Sequence, residues 1–156
     1  MIPRKTKAPA ARVLVIGFGN PGRGDDGLGP AAAERLSARA IPGVACDADY
    51  QLGLEDALAC AQHDVVVFID AARGLRRPYT FTKVEAAAAM PAMSHTLRPE
   101  AVLAIAAELY DRRPDARLLA VRGHRWTIGE GLSAKAEKNL ALALKFLENF
   151  LKGNRS

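Results

Sequence analysis

The sequence predicts an α/β fold, a three-layer α-β-α sandwich around a mostly parallel five-stranded sheet. Three observations carry that expectation. Two short, continuous apolar runs, Val13 to Ile16 and Val65 to Ile69, have the composition of strands buried on both faces. Helical and strand patterns alternate along the chain, which calls for crossover connections and helices on both sides of one sheet. The length, 156 residues, suffices for one such core, read as a single domain over 12–153 behind a basic leader at 1–11.

Each element follows in order. Val13 to Ile16 opens the sheet and runs into a glycine-rich loop. Pro30 sits in the first turn expected of a helix reaching Ala40, where a missing N–H is tolerated. Gly43 to Asp49 reads as a short second strand and Leu54 to Cys60 as a short helix. Asp64 to Asp70 gives the strongest strand pattern in the chain. Tyr79 to Ala86 alternates like a strand. Pro99 to Tyr110 reads as a helix whose Val102, Leu103, Ala106, Leu109 and Tyr110 share one face. Arg117 to Val121 supplies the last strand. Leu132, Ala136, Leu140, Leu144, Leu147 and Leu151 form the stripe of a terminal helix stopped at Gly153. Ala86 to Arg98, with Pro91, Ser94 and His95, is the expected long loop.

Composition bounds the function. No apolar run has the length needed to span a bilayer, and the segment Met1 to Pro9 is charged without an apolar stretch, so it reads as a disordered leader rather than a signal peptide. Cys46 and Cys60 lack metal or redox spacing and fit reduced thiols in the cytoplasm. The net charge of +5 arises partly from Arg4, Lys5, Lys7 and Arg12, with a second cluster at Arg73, Arg76 and Arg77. Aromatic residues make up only 6%, too few to interleave with those charges and stack on bases, so no nucleic-acid partner is expected.

The chemistry gathers in the first loop, Gly17-Phe-Gly-Asn-Pro-Gly-Arg-Gly-Asp-Asp-Gly-Leu-Gly29. Its first six residues fit the G-x-G-x-x-G pattern, but Pro21 removes an amide and Arg23 to Gly27 delays the helix past the point where a pyrophosphate would sit. The G-K-[ST] ending of a P-loop is absent. One of Asp25 and Asp26 is accounted for as a helix N-cap, the second less readily. Paired carboxylates beside a strand end call for a cation, a proton or a substrate group. Asp70 ends the apolar strand and is expected beside Asp26 across the parallel sheet. With His95 from the loop, the set becomes two carboxylates and an imidazole, donors that suit nickel or zinc.

The first loop, the strand end Ile69-Asp70-Ala-Ala and Ser94-His95 ahead of a helix resemble the hydrogenase maturation proteases over roughly residues 12–150. The resemblance implies a five-stranded α/β endopeptidase that removes the C-terminal extension of a nickel–iron hydrogenase large-subunit precursor after nickel insertion. By motif, the metal contacts fall on Asp26, Asp70 and His95, with Asp25 competing for the place of Asp26. Many members carry glutamate at the position of Asp26. Nickel would arrive with the precursor, with no cofactor held tightly by the protease itself, and the three-donor site would leave positions open for it. The partner implied is the nickel-loaded precursor, with no nucleic acid and no membrane. Asn20, Asp25, Gln51 and Gly53 are the expected substrate contacts. Hydrolysis would proceed either by polarisation of the scissile carbonyl by the metal or by activation of water by one carboxylate.

Two other classes share parts of this pattern. Gly17 to Arg23 also resembles the opening of peptidyl-tRNA hydrolase, but no histidine follows the loop before His63. Asp25, Asp26 and Asp70 imitate the acidic pocket of a phosphoacceptor receiver domain, without the lysine such a domain needs after a later strand. His124, after the last strand, reads as a structural or substrate-contacting residue, and His63 as a surface residue.

Overall fold

A computed structural model describes residues 11–90, 96–129 and 131–153. The expected leader lies outside these residues except for Ala11, which packs against the core. The strands are β1 (Val13–Phe18), β2 (Val44–Asp49), β3 (Val65–Ala72), β4 (Tyr79–Lys83) and β5 (Asp115–Arg122). The helices are α1 (Leu28–Ala38), α2 (Leu54–Ala61), α3 (Pro99–Tyr110) and α4 (Ala134–Gly153), and a 3-10 turn (Gly24–Gly27) leads into α1. They form one five-stranded sheet in the order β2-β1-β3-β5-β4. All neighbouring strands run parallel except β4, which pairs antiparallel with β5 at the edge.

Alternation along the central strands makes the layers. Val13 and Val15 of β1 and Val65, Val67 and Ile69 of β3 face α1 and α4. Leu14, Ile16, Val66 and Phe68 face α2 and α3. Strands buried on both sides have no polar face to show, which is why they read as unbroken apolar runs. α4 closes one layer with Leu140, Leu144, Leu147 and Leu151, all 2% exposed or less. Each such leucine contributes roughly 1.5–3 kcal/mol by leaving water. The bidentate Arg35–Glu137 pair between α1 and α4, at 2.7 and 2.8 Å, lies on the surface. An exposed pair of this kind is worth about 1 kcal/mol at most. The leucine stripe, not the ion pair, holds α4.

β1, β3 and β5 run about two residues beyond their expected ends, to Phe18, to Ala72 and from Asp115 to Arg122. Three further differences have a structural reason. α1 begins at Leu28 rather than at Pro30, because the 3-10 turn runs straight into it with Gly27 as N-cap. Pro30 then falls third in the helix, among the amides that lack intrahelical partners anyway. β4 ends at Lys83 rather than Ala86, although Val84 still donates to the Ala116 carbonyl. The expected apolar face of α3 stops early: Ile105 and Ala106 are buried, whereas Leu109 and Tyr110 are exposed. At 8 residues against 12, α2 is too short to cover the last turn of α3.

Gly29 sets how closely α1 lies on the sheet. A Cβ there would collide with the carbonyl oxygens of Phe18 and Ile69, one at each of the two strands beneath it. Among the described residues no helix is long and apolar enough to cross a membrane.

Candidate functional site

The strand order makes a crevice before any side chain is considered. From β1 the chain crosses to β2 on one side, while β3 lies on the other, and both β1–β2 and β1–β3 pairs are parallel. Loops leaving the carboxyl ends of β1 and β3 therefore diverge, and ligands of open α/β sheets settle in the gap. The loop after β1 brings Asp26 to this gap. Asp70 stands on β3, opposite Ala120 of β5.

Asp25 and Asp26 are neighbours in the chain with different surroundings. Asp25 is fully buried. Its Oδ2 accepts from the His124 and Arg125 amides at 2.7 and 2.8 Å, and Oδ1 accepts from the Ser133 amide at 2.8 Å. The Ser133 hydroxyl donates to Oδ2 at 2.7 Å and itself accepts from the Ala136 amide, capping α4. Burial alone would raise the Asp25 carboxyl, but these hydrogen bonds to its charged form outweigh it and hold the group below the ordinary carboxylate range. Asp25 therefore ties the first loop to the segment after β5 and to the start of α4. It has no lone pair facing solvent for a substrate or metal, which corrects its expected place among the substrate contacts and its rivalry with Asp26. Neither aspartate caps α1, which has no side-chain cap.

Asp26 remains half-buried and accepts from the Asn20 amide through Oδ2 at 2.8 Å. Asp70 is pushed up to about 6, chiefly by burial and further by the charge of Asp26, against the Ala71 amide and the Arg98 guanidinium. A carboxyl of that pKa near neutral pH is suited to proton transfer or to a cation.

Two clefts meet at these carboxylates. One, of about 360 Å³, has Asn20, Tyr50, Gln51 and Arg98 on its walls; the other, of about 400 Å³, has Ala71, Arg73 and Trp126. Arg23, Asp26 and Asp70 line both. The acidic pair thus belongs to both clefts, which together make up the groove at the strand ends. Of the expected substrate contacts, Asn20 and Gln51 line the first cleft. Asn20 donates to the Tyr50 hydroxyl at 2.7 Å and accepts from the Gly22 amide, while Gln51 accepts from the Thr96 hydroxyl at 3.3 Å. Gly53 lines neither cleft. It is the N-cap of α2, and its amide donates to Asp56 at 2.8 Å, so its position belongs to the helix start.

His95 lies outside the described residues. Among the described residues, no group of three or more histidine, cysteine, aspartate or glutamate side chains is arranged to hold a metal ion. His124 is half-buried, with its ring nitrogen Nε2 3.2 Å from the Asn139 amide nitrogen, and serves the packing of the β5–α4 connection. His63 is half-buried rather than on the surface; its Nδ1 donates to the Ala59 carbonyl at 2.7 Å and closes the end of α2. Burial raises the Cys46 thiol and lifts Cys60 to about 12, which leaves neither a ready nucleophile. Sequence reasoning missed Arg23, Tyr50, Arg73, Arg98 and Trp126. The available signal was position, since Arg73 follows Asp70 by three residues and Trp126 follows the last strand.

No protein-family model and no curated protein sequence matches the chain. Solved structures do. The chain is similar to the NiFe hydrogenase maturation protease HycI from Thermococcus kodakarensis, with a TM-score of 0.72 and 22% identity over 92% of this chain and 94% of that one. It is similar to the hydrogenase 2 maturation peptidase from a Thaumarchaeota archaeon (TM-score 0.67, 22% identity, 90% and 97% covered). It is also similar to the hydrogenase maturating endopeptidase HybD from Escherichia coli (TM-score 0.68, 21% identity, 92% and 94% covered). At this identity the shared property is the fold.

Proposed function

We propose that this chain is an endopeptidase that trims the C-terminal extension from a nickel–iron hydrogenase large-subunit precursor. Nickel carried by the precursor is the recognition element, met by Asp26, Asp70 and His95. The observation that carries this reading is the pair Asp26 and Asp70, brought from the loop after β1 and from the adjacent strand β3 to line the same two clefts. It is supported by the shared fold of solved structures named as hydrogenase maturation proteases.

The chemistry follows from the carboxylates. Hydrolysis of a peptide bond needs a water made nucleophilic and a carbonyl made electrophilic. Asp70, with its carboxyl near 6, is largely ionised at neutral pH yet more basic than an ordinary aspartate, so it is suited to take a proton from water. A nickel ion held by the substrate would polarise the carbonyl and neutralise the two aspartates at the same time. Without the metal, two like charges face each other and the binding free energy of the ion is missing, so an unloaded precursor would be left uncut.

The test is cleavage of purified precursor, with and without nickel, followed by intact mass. The wild-type chain should shorten only the loaded form, and Asp26→Ala, Asp70→Ala and His95→Ala should each slow cleavage by about 100-fold or more. Equal cutting of the unloaded precursor would remove nickel from the reading. Undiminished cutting by any one variant would remove that residue from the site.

A further inference from the structure

The second cleft contains a positively charged corner that the reaction proposed above does not use. Arg73 follows β3 and its guanidinium lies over the Trp126 ring, 4.1 Å from the centroid. Arg23, from the first loop, lines the same cleft. The indole is seated on Gly123, where a Cβ would come within 2.8 Å of its Cζ2 and Cη2 atoms. The chain around it is fixed from below, because the amides of His124 and Arg125 donate to buried Asp25. It is fixed from the side too, where Gly24 donates to the Gly129 carbonyl and Gly129 donates to that of Gly22. The ring is therefore a built platform, and it orients the Arg73 fork.

Charge distinguishes the two clefts. Arg98, on the wall of the first, is paired with Glu100 at 3.5 Å. Among the described residues neither Arg23 nor Arg73 is in an ion pair, even with Asp26 and Asp70 on the same walls. An oriented guanidinium without a carboxylate partner favours a planar anion, which it grips through two parallel N–H groups.

We propose that Arg73, oriented by Trp126 and assisted by Arg23, forms a carboxylate subsite that holds the departing C-terminal extension on one flank of the scissile bond. This rests on the endopeptidase reading. A C-terminal extension always supplies such a group, either its terminal carboxylate or an acidic side chain near it. Arg73 is then a specificity-determining residue, acting on substrate binding more than on turnover.

Trp126 is the only tryptophan of the chain, so its fluorescence reports on this subsite without any cleavage. The experiment titrates the full protein with a synthetic peptide of the precursor's extension in three forms: free acid, C-terminal amide, and with its acidic side chains changed to amides. The free acid should shift the emission saturably, and one of the neutralised forms should bind about tenfold more weakly, identifying which carboxylate is held. Arg73→Gln should weaken the free acid by about the same factor while Arg73→Lys recovers part of it. In precursor cleavage, Arg73→Gln should raise KM and leave kcat nearly unchanged. Equal affinity for all three peptides, or wild-type affinity in Arg73→Gln, overturns the subsite. Failure of the wild-type chain to shorten any precursor, with the peptide affinities as expected, overturns the endopeptidase reading and leaves the carboxylate subsite standing.

Discussion

At the scale of single residues, Asp25 and Asp26 divide two tasks that a sequence motif presents as one. Replacing the buried Asp25 with Asn keeps the size but turns an amide group toward N–H donors. We expect Asp25→Asn to cost about 3 kcal/mol of stability in urea unfolding. Asp26→Asn retains an oxygen for the Asn20 amide, so it should stay within about 1 kcal/mol of wild type while abolishing cleavage. The sign with pH is fixed by the lowered Asp25 carboxyl. Its contribution is present above the ordinary aspartate value and is lost as pH falls through its lower folded value, so the two variants should converge in stability in strong acid. The acidic pair was visible in the sequence, but the division of labour was not. Asp25 is held by Ser133, His124 and Arg125, roughly 100 residues away along the chain. Long-range partners of that kind leave no local pattern.

At the scale of elements, the junction of β2 and α2 carries a second pair of acids. Asp56, 3% exposed, accepts from the Gly53 amide at the start of α2. It is pushed up to about 7, first by burial and then by a hydrogen bond that its protonated form donates to Asp49 at the end of β2. Because the folded value lies above the unfolded one, this interaction stabilises fully at low pH and is lost as pH rises from about 4 to about 7. Asp56→Asn can keep the bond to Gly53 and donate permanently to Asp49. It should raise the Tm at pH 8 and flatten the decline between pH 4 and pH 7, read by thermal melts in a pH series. Period-based reading worked best where an element is buried throughout, as for β1, β3 and the leucine stripe of α4. It failed at ends that other elements decide. α3 looked apolar to Tyr110 because the period continues, yet the helix opposite it ends sooner.

At the scale of the whole molecule, the order β2-β1-β3-β5-β4 puts the best-covered strands directly under the groove. β1 and β3 are flanked by strands on both sides and by helices on both faces, whereas β2 and β4 are edges. Native-state hydrogen exchange should therefore release the amides of β2 and β4 first, and those of β1 and β3 last, close to global unfolding. Early exchange in β1 would mean that the floor of the groove is less rigid than its burial indicates. Alternation of strands and helices made this architecture legible from the sequence. The meeting of Asp26 and Asp70 was legible too, since a parallel pair brings strand ends together. The basic wall across from them was not, because Arg23, Arg73 and Trp126 belong to three separate connections.

The tight turn beneath the groove has one last implication. Successive residues of a 3-10 turn project about 120° apart. One aspartate can therefore be swallowed by the protein while the next looks out, with no residue between them to spare. Adding or deleting a single position here would rotate the outward group away from the groove or pull the inward one off its anchors. This chain should therefore tolerate Asp26→Glu far better than the insertion or deletion of one residue in the turn.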